Sequence, residues 1–119
     1  MSEADIANIA EEIDSMGRSE RRELVSRLAV LLTHLLKWRH QPGLRGNSWR
    51  LTIREQRRKL ARHLRDNPSL RPELDAAYAD AYGDALLEAQ RETGLAENTF
   101  PTSSAWTTEQ ALDPDFMPD

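Results

Sequence analysis

Cysteine is absent from these 119 residues, which excludes a disulfide, a thiolate nucleophile, a zinc-thiolate cluster and an iron-sulfur site. A reducing compartment suits such a chain, and the expected location is cytoplasmic. Long apolar runs are also missing. The longest is the few residues at Leu28–Leu32, and no basic segment leads into an apolar one at the start, so neither a membrane span nor a secretory leader is expected. There is no strand-like alternation, long internal repeat or low-complexity tract, and no glycine-rich phosphate loop or nucleophile elbow. The three histidines have no His-x-x-x-His spacing. What is left is a single small domain, able to bury roughly two thirds of its unfolded surface in one modest core.

Charge is divided along the chain far more sharply than the net value of −4 suggests. Residues 1–17 hold five acids and no base, and residues 18–71 hold 15 of the 16 bases with four acids. Residues 72–119 hold eleven acids and Arg91 alone as a base. A basic centre between acidic ends either meets an anionic partner or is neutralised by its own flanks after folding.

The apolar spacing is helical throughout. Ser2 and Asp5 form a capping-box pattern ahead of Ile6, Ile9, Ile13 and Met16, which defines a first helix that Gly17 stops. Ser19 caps a second, carrying Leu24, Leu28, Leu31, Leu32, Leu35 and Trp38 and ending near His40, ahead of Pro42 and Gly43. With Val25 and Leu36 its apolar arc widens to about 160°, as a helix with several neighbours requires. Asn47 or Ser48 caps a third helix with Trp49, Ile53, Leu60 and Leu64 inward, closed by Asn67 and Pro68. A fourth starts at Ser69 or the Pro72 turn and ends at Gly94; its Ala77, Ala81, Ala85 and Ala89 allow a close helix approach. Beyond it, Leu95, Phe100, Trp106, Leu112 and Phe116 anchor a tail in which Thr107 and Gln110 cap one short turn. The expected fold is therefore all-α, a bundle of four main helices over residues 1–94, with an extended C-terminal tail over residues 95–119 packed on it.

Several runs carry a family resemblance. They are Ile6-Ala7-Asn8-Ile9-Ala10-Glu11-Glu12-Ile13, Gly17-Arg18-Ser19-Glu20-Arg21-Arg22-Glu23-Leu24, His34-Leu35-Leu36-Lys37-Trp38, Ser48-Trp49, Ile53-Arg54-Glu55-Gln56-Arg57 and Pro68-Ser69-Leu70, with Phe100-Pro101 and Trp106-Thr107 near the end. Together they resemble the bacterial domain of unknown function 29 family over nearly the whole chain. The resemblance implies an all-α bundle and brings no established activity, cofactor or catalytic residue. Family members commonly begin with a further stretch ahead of the first helix. Its absence would leave apolar surface that self-association is one way to cover.

The third helix carries the candidate binding face. Arg50, Arg54, Arg57, Arg58, Arg62 and Arg65 fall within an arc of about 140°, opposite the apolar side. Guanidinium forks in a row suit carboxylates or phosphates. The same row reads otherwise as a solvated face, or as the internal partner of Glu73, Asp80, Asp84 and Glu88 on the fourth helix, expected to be its antiparallel neighbour. Those four carboxylates lack the Glu-x-x-His that bundle metal sites use, so no metal and no cofactor is expected. Trp38 and Trp49 are expected to pack together across the loop between their helices. Trp106 is expected to anchor the tail on its own bundle or to reach another chain.

The function expected is that of a non-enzymatic module binding a protein partner or a second copy of itself through the arginine face, the acidic stripe of the fourth helix and the tail with Trp106, with no membrane partner. Nucleic acid ranks behind. Its enzymatic form rests on a resemblance to helical ribonucleases of the higher-eukaryote-and-prokaryote nucleotide-binding type, in which an arginine precedes a histidine by a short gap. Arg58 and His63 have four residues between them, Arg57 and His63 five, and Arg27 and His34 six. That reading makes Arg58 and His63 catalytic and requires His63 to be exposed beside a cleft.

Overall fold

The structure is a computed structural model that describes residues 3–119, with side chains from residue 17 onward. Four α-helices occur among the described residues, three of them long: α1 (Glu3–His40), α2 (Asn47–Asp66), α3 (Leu74–Thr93) and the single short turn α4 (Thr108–Leu112). No strand is present among them, as the all-α reading expects. The Ser2 cap and the inner face assigned to Ile6, Ile9, Ile13 and Met16 lie outside the described residues and side chains.

One boundary is corrected. Gly17 and Ser19 do not separate two helices; both lie inside α1, which runs unbroken for 38 residues. A mid-helix glycine costs only about 1 kcal/mol, and the three-four spacing of positions 6, 9, 13 and 16 continues in phase through 20, 24, 28 and 31. An apolar spacing that never changes phase gives no reason in the pattern itself for the helix to break. The expected third and fourth helices are thus α2 and α3. The α2 start is also shifted: Gly46 is the N-cap and Asn47 the first helical residue, with no side-chain cap. Gly94 ends α3 as expected, in the left-handed conformation at φ 72° that a Cβ would strain.

Both α2 and α3 pack on α1, and they scarcely touch each other. The side chains give the directions. Glu20 near the middle of α1 meets His63 at the end of α2, so these two are antiparallel. Arg21 of α1 reaches Glu73 and Asp80 at the start of α3, and Lys37 reaches Glu92 at its end, so α3 runs parallel to α1. The leucines at 24, 28, 31, 32, 35 and 36 are fully buried at this double seam. Opposite them Ala77, Ala81, Ala85 and Ala89 have no exposed surface, which lets α3 lie close against α1.

The tail explains why α2 and α3 stay apart. Phe100 is buried edge-on against His40, with ring centroids 4.9 Å apart. Tyr82 then donates to the Pro101 carbonyl at 2.5 Å, Tyr78 bonds Ser104 at 2.7 Å, and Thr108 donates to Asp75 at 2.8 Å, so the chain descends along α3. At α4 it crosses to α2, where Arg57 donates to the Ala111 carbonyl, and its last residue is held by Arg45. The tail thereby lies between the two helices. Its turn is closed by the expected capping box of Thr107 and Gln110.

Burial raises the ionisation of Tyr78 and Tyr82 above the ordinary 10.0. The folded state therefore holds protons that the unfolded chain has released, and stability falls as pH rises through about 10 toward the folded values. Urea midpoints measured from pH 8 to 11 are expected to decline only at the alkaline end. In Tyr82→Phe that decline should be smaller; an unchanged decline would mean these hydroxyls do not hold the tail.

Candidate functional site

The arginines of α2 divide into distinct environments. Arg54, Arg58, Arg62 and Arg65 are exposed, and no carboxylate among the described residues pairs with them. Arg50 is exposed too, with its guanidinium over the Trp38 ring at 5.5 Å. Arg57 is not part of an open face. It is 6% exposed, its Nε donates to the Ala111 carbonyl at 2.8 Å, and its Nη2 is buried with no hydrogen-bond partner among the described residues. Burial disfavours its charge, and the field of Asp113 only opposes that effect.

A groove of about 680 Å³ joins these residues. One wall is α2, with Arg50, Ile53, Arg54, Arg57, Arg58 and Ala61; the other is the tail, with Leu112, Pro114, Asp115 and Met117. Sequence spacing identified the arginines but not the second wall, which exists only because residues 108–119 return to α2. The structure therefore brings Arg50, Arg54, Arg57 and Arg58 to one groove. Arg62 lines a separate hollow with Glu23, Arg27, Lys59, His63 and Asp66, and Arg65 belongs to neither.

The alternative reading, in which this row pairs with the acidic stripe inside the chain, is not what the ion pairs among the described residues show. Glu73 and Asp80 face Arg21 at 3.8 and 3.1 Å, and Glu88 pairs with Arg91 on its own helix. These partners belong to α1 and α3, because α3 packs on α1 and the tail stands between α3 and α2.

His63 does not meet the condition set for a nuclease. It is 8% exposed and forms a tie between helices: Nε2–H donates to the Glu20 carbonyl at 2.9 Å, and Nδ1 lies 3.3 Å from Glu23 Oε2. Arg58 lines the tail groove and His63 the other hollow, so no single cleft holds both. Five residues apart on a helix, the two point about 140° from each other. Glu20, Glu23 and His63 offer donor atoms within 4.8 Å of one another, the residue types of a divalent-cation site. Here they already have work: Arg27 grips Glu23 Oε1 at 2.8 and 3.1 Å, and the ring locks α2 to α1. The trio was missed because its halves are 40 residues apart in the chain. The available signal was Glu20, a carboxylate in phase with the apolar stripe of α1.

Trp38 is buried and Trp49 and Trp106 pack partly buried against the core. Trp38 and Trp49 do not stack; Trp38 receives Arg45 and Arg50 on its ring at 5.1 and 5.5 Å, and Trp49 receives Lys37 at 4.8 Å. These cation-π contacts settle the α1–α2 corner. Trp106 is half-buried, edge-on to Phe116 at 6.5 Å, with its carbonyl accepting from Tyr78 at 3.2 Å. It holds the tail on its own bundle.

Residues 1–117 match the family model described as Domain of unknown function DUF29. The chain belongs to that family. Among curated proteins, and among solved structures, none matches it. DUF29 membership agrees with the resemblance and the helical fold, and it assigns no activity. No helix among the described residues of this DUF29 chain is long and apolar enough to cross a membrane.

Proposed function

We propose that this protein is a non-enzymatic interaction module that binds an acidic segment of a partner protein along α2. The observation that carries this reading is Arg57, a buried guanidinium whose Nη2 has no partner among the described residues, in a groove it shares with the exposed Arg54 and Arg58, which pair with no carboxylate among those residues. Burial disfavours the Arg57 charge, the field of Asp113 only opposes that effect, and a nearby ligand carboxylate lowers the cost further. Nucleic acid ranks behind: Asp115 on the tail wall and Asp113 beside Arg57 repel a polyanion, and His63 is engaged in the α1–α2 tie.

Fluorescence anisotropy with a labelled glutamate-rich peptide, single-stranded RNA and duplex DNA, titrated from low to physiological salt, separates these readings. The peptide should bind best, and Arg54→Ala with Arg58→Ala should weaken it about tenfold or more, since hydrogen-bonded charge pairs are worth roughly 1.5–3 kcal/mol each. Tighter binding of RNA with a steep salt dependence, or RNA cleavage that His63→Ala abolishes, would replace this proposal with the nucleic-acid one.

A further inference from the structure

We infer that the groove between α2 and the tail recognises an extended peptide segment of the pattern acidic–apolar–acidic, rather than negative charge alone. This rests on the proposed function and narrows it. The first support is Arg57. Its Nε is taken by the Ala111 carbonyl and no carboxylate among the described residues lies within salt-bridge distance of it. A planar guanidinium held by one backbone bond is preorganised, and although its Nε is taken and its Nη2 has no exposed surface, its charge at the groove wall attracts a ligand carboxylate that Arg54 and Arg58 can grip.

The second support is the character of the walls. Leu112 and Met117 on the tail, both partly buried, line the same space as the arginines, while Ile53 of α2 is only 1% exposed and belongs to the core. Partly buried apolar side chains beside a cation suit a ligand that brings a carboxylate and a hydrocarbon side chain together. A free phosphate or a nucleic-acid backbone leaves that apolar surface uncovered.

The third support is spacing. Arg54 and Arg58 are one turn apart, about 6 Å along α2, and alternate side chains of an extended peptide are about 6.8 Å apart. Two acidic side chains at positions i and i+2 therefore meet successive arginines, while the residue between them points to the opposite wall, where Leu112 and Met117 stand. The carboxylate of Asp115 on that wall limits how much negative charge the ligand carries with profit.

The test compares three labelled peptides of equal length on the full chain, by anisotropy at physiological salt: one alternating glutamate and leucine, one alternating glutamate and serine, and one alternating glutamine and leucine. The glutamate–leucine peptide is expected to bind about tenfold tighter than the glutamate–serine one, the worth of one buried aliphatic side chain, and the glutamine–leucine peptide should not bind. Met117→Ser should erase the preference for leucine while leaving the glutamate–serine affinity in place. Arg57→Met should lose peptide affinity, and because it also removes the bond to the Ala111 carbonyl its urea midpoint is measured alongside to separate lost binding from a loosened tail. If that variant fails to fold, Met117→Ser still decides the matter. Equal affinity for the leucine and serine peptides overturns this inference and leaves the proposed function standing. Absence of binding by both glutamate peptides overturns the two together, as does RNA that competes the glutamate–leucine peptide off at lower concentration than the unlabelled peptide does.

Discussion

Leu31→Ala is expected to lower the unfolding free energy by about 3–5 kcal/mol, read as a shift of the urea midpoint at unchanged slope. Leu31 has no exposed surface and lies among the leucines of α1 on which the rest of the chain packs. Truncation removes its transfer free energy and leaves a void that cannot collapse easily: the alanine side chains of α3 are too short to move in, and α1 is held from its other side by α2. A loss below about 1 kcal/mol would show that α3 can slide closer, and would contradict the account of the alanine stripe as an already close approach.

Phe100→Ala is the second large effect, expected at about 3 kcal/mol, and it should be concentrated in the tail. Phe100 is 4% exposed at the top of the bundle, and the hydrogen bonds of Tyr82 and Tyr78 to the tail follow directly after it in the chain. Without this anchor the tail should open at lower free energy than the helices, and limited proteolysis should cut between residues 95 and 107 before it cuts α1, α2 or α3. His40 reports the same event. Burial, with help from the charge of Arg39, lowers its pKa from 6.5, so in the variant the value should rise toward 6.5. The sign for stability follows: with a depressed folded value the wild type loses stability as pH falls through about 6.5, and the variant should lose less. Proteolysis that cuts the variant and the wild type alike would show that the tail is held elsewhere. Peptide affinity should fall with the tail, because residues 112–117 supply one wall of the groove.

Local chemistry was legible from the sequence where a residue's role depends on neighbours within one turn. Gly94 ends α3 because the left-handed position suits only glycine, Thr107 and Gln110 close their box within four residues, and Asn67 with Pro68 ends α2. The leucines of α1 and alanines of α3 are inner-face residues by periodicity alone, and they are buried. Gly17 misled for the same reason: a local stop signal worth about 1 kcal/mol did not break a helix whose apolar spacing runs on in phase on either side of it.

Residue types, helical periods and the row of arginines along α2 were determined by the sequence by itself, since backbone geometry converts spacing into a face without reference to anything distant. Tertiary structure alone decided what each face meets. It placed Arg21 rather than the α2 arginines against Glu73 and Asp80, buried Arg57 under Ala111 while leaving Arg54 and Arg58 open, and set His63 between Glu20 and Glu23. Each of these follows from the tail, whose return between α2 and α3 keeps those helices apart, or from the relative register of α1 and α2. Such contacts join residues 40 to 60 positions apart, and their free energy depends on burial and desolvation that no local spacing encodes.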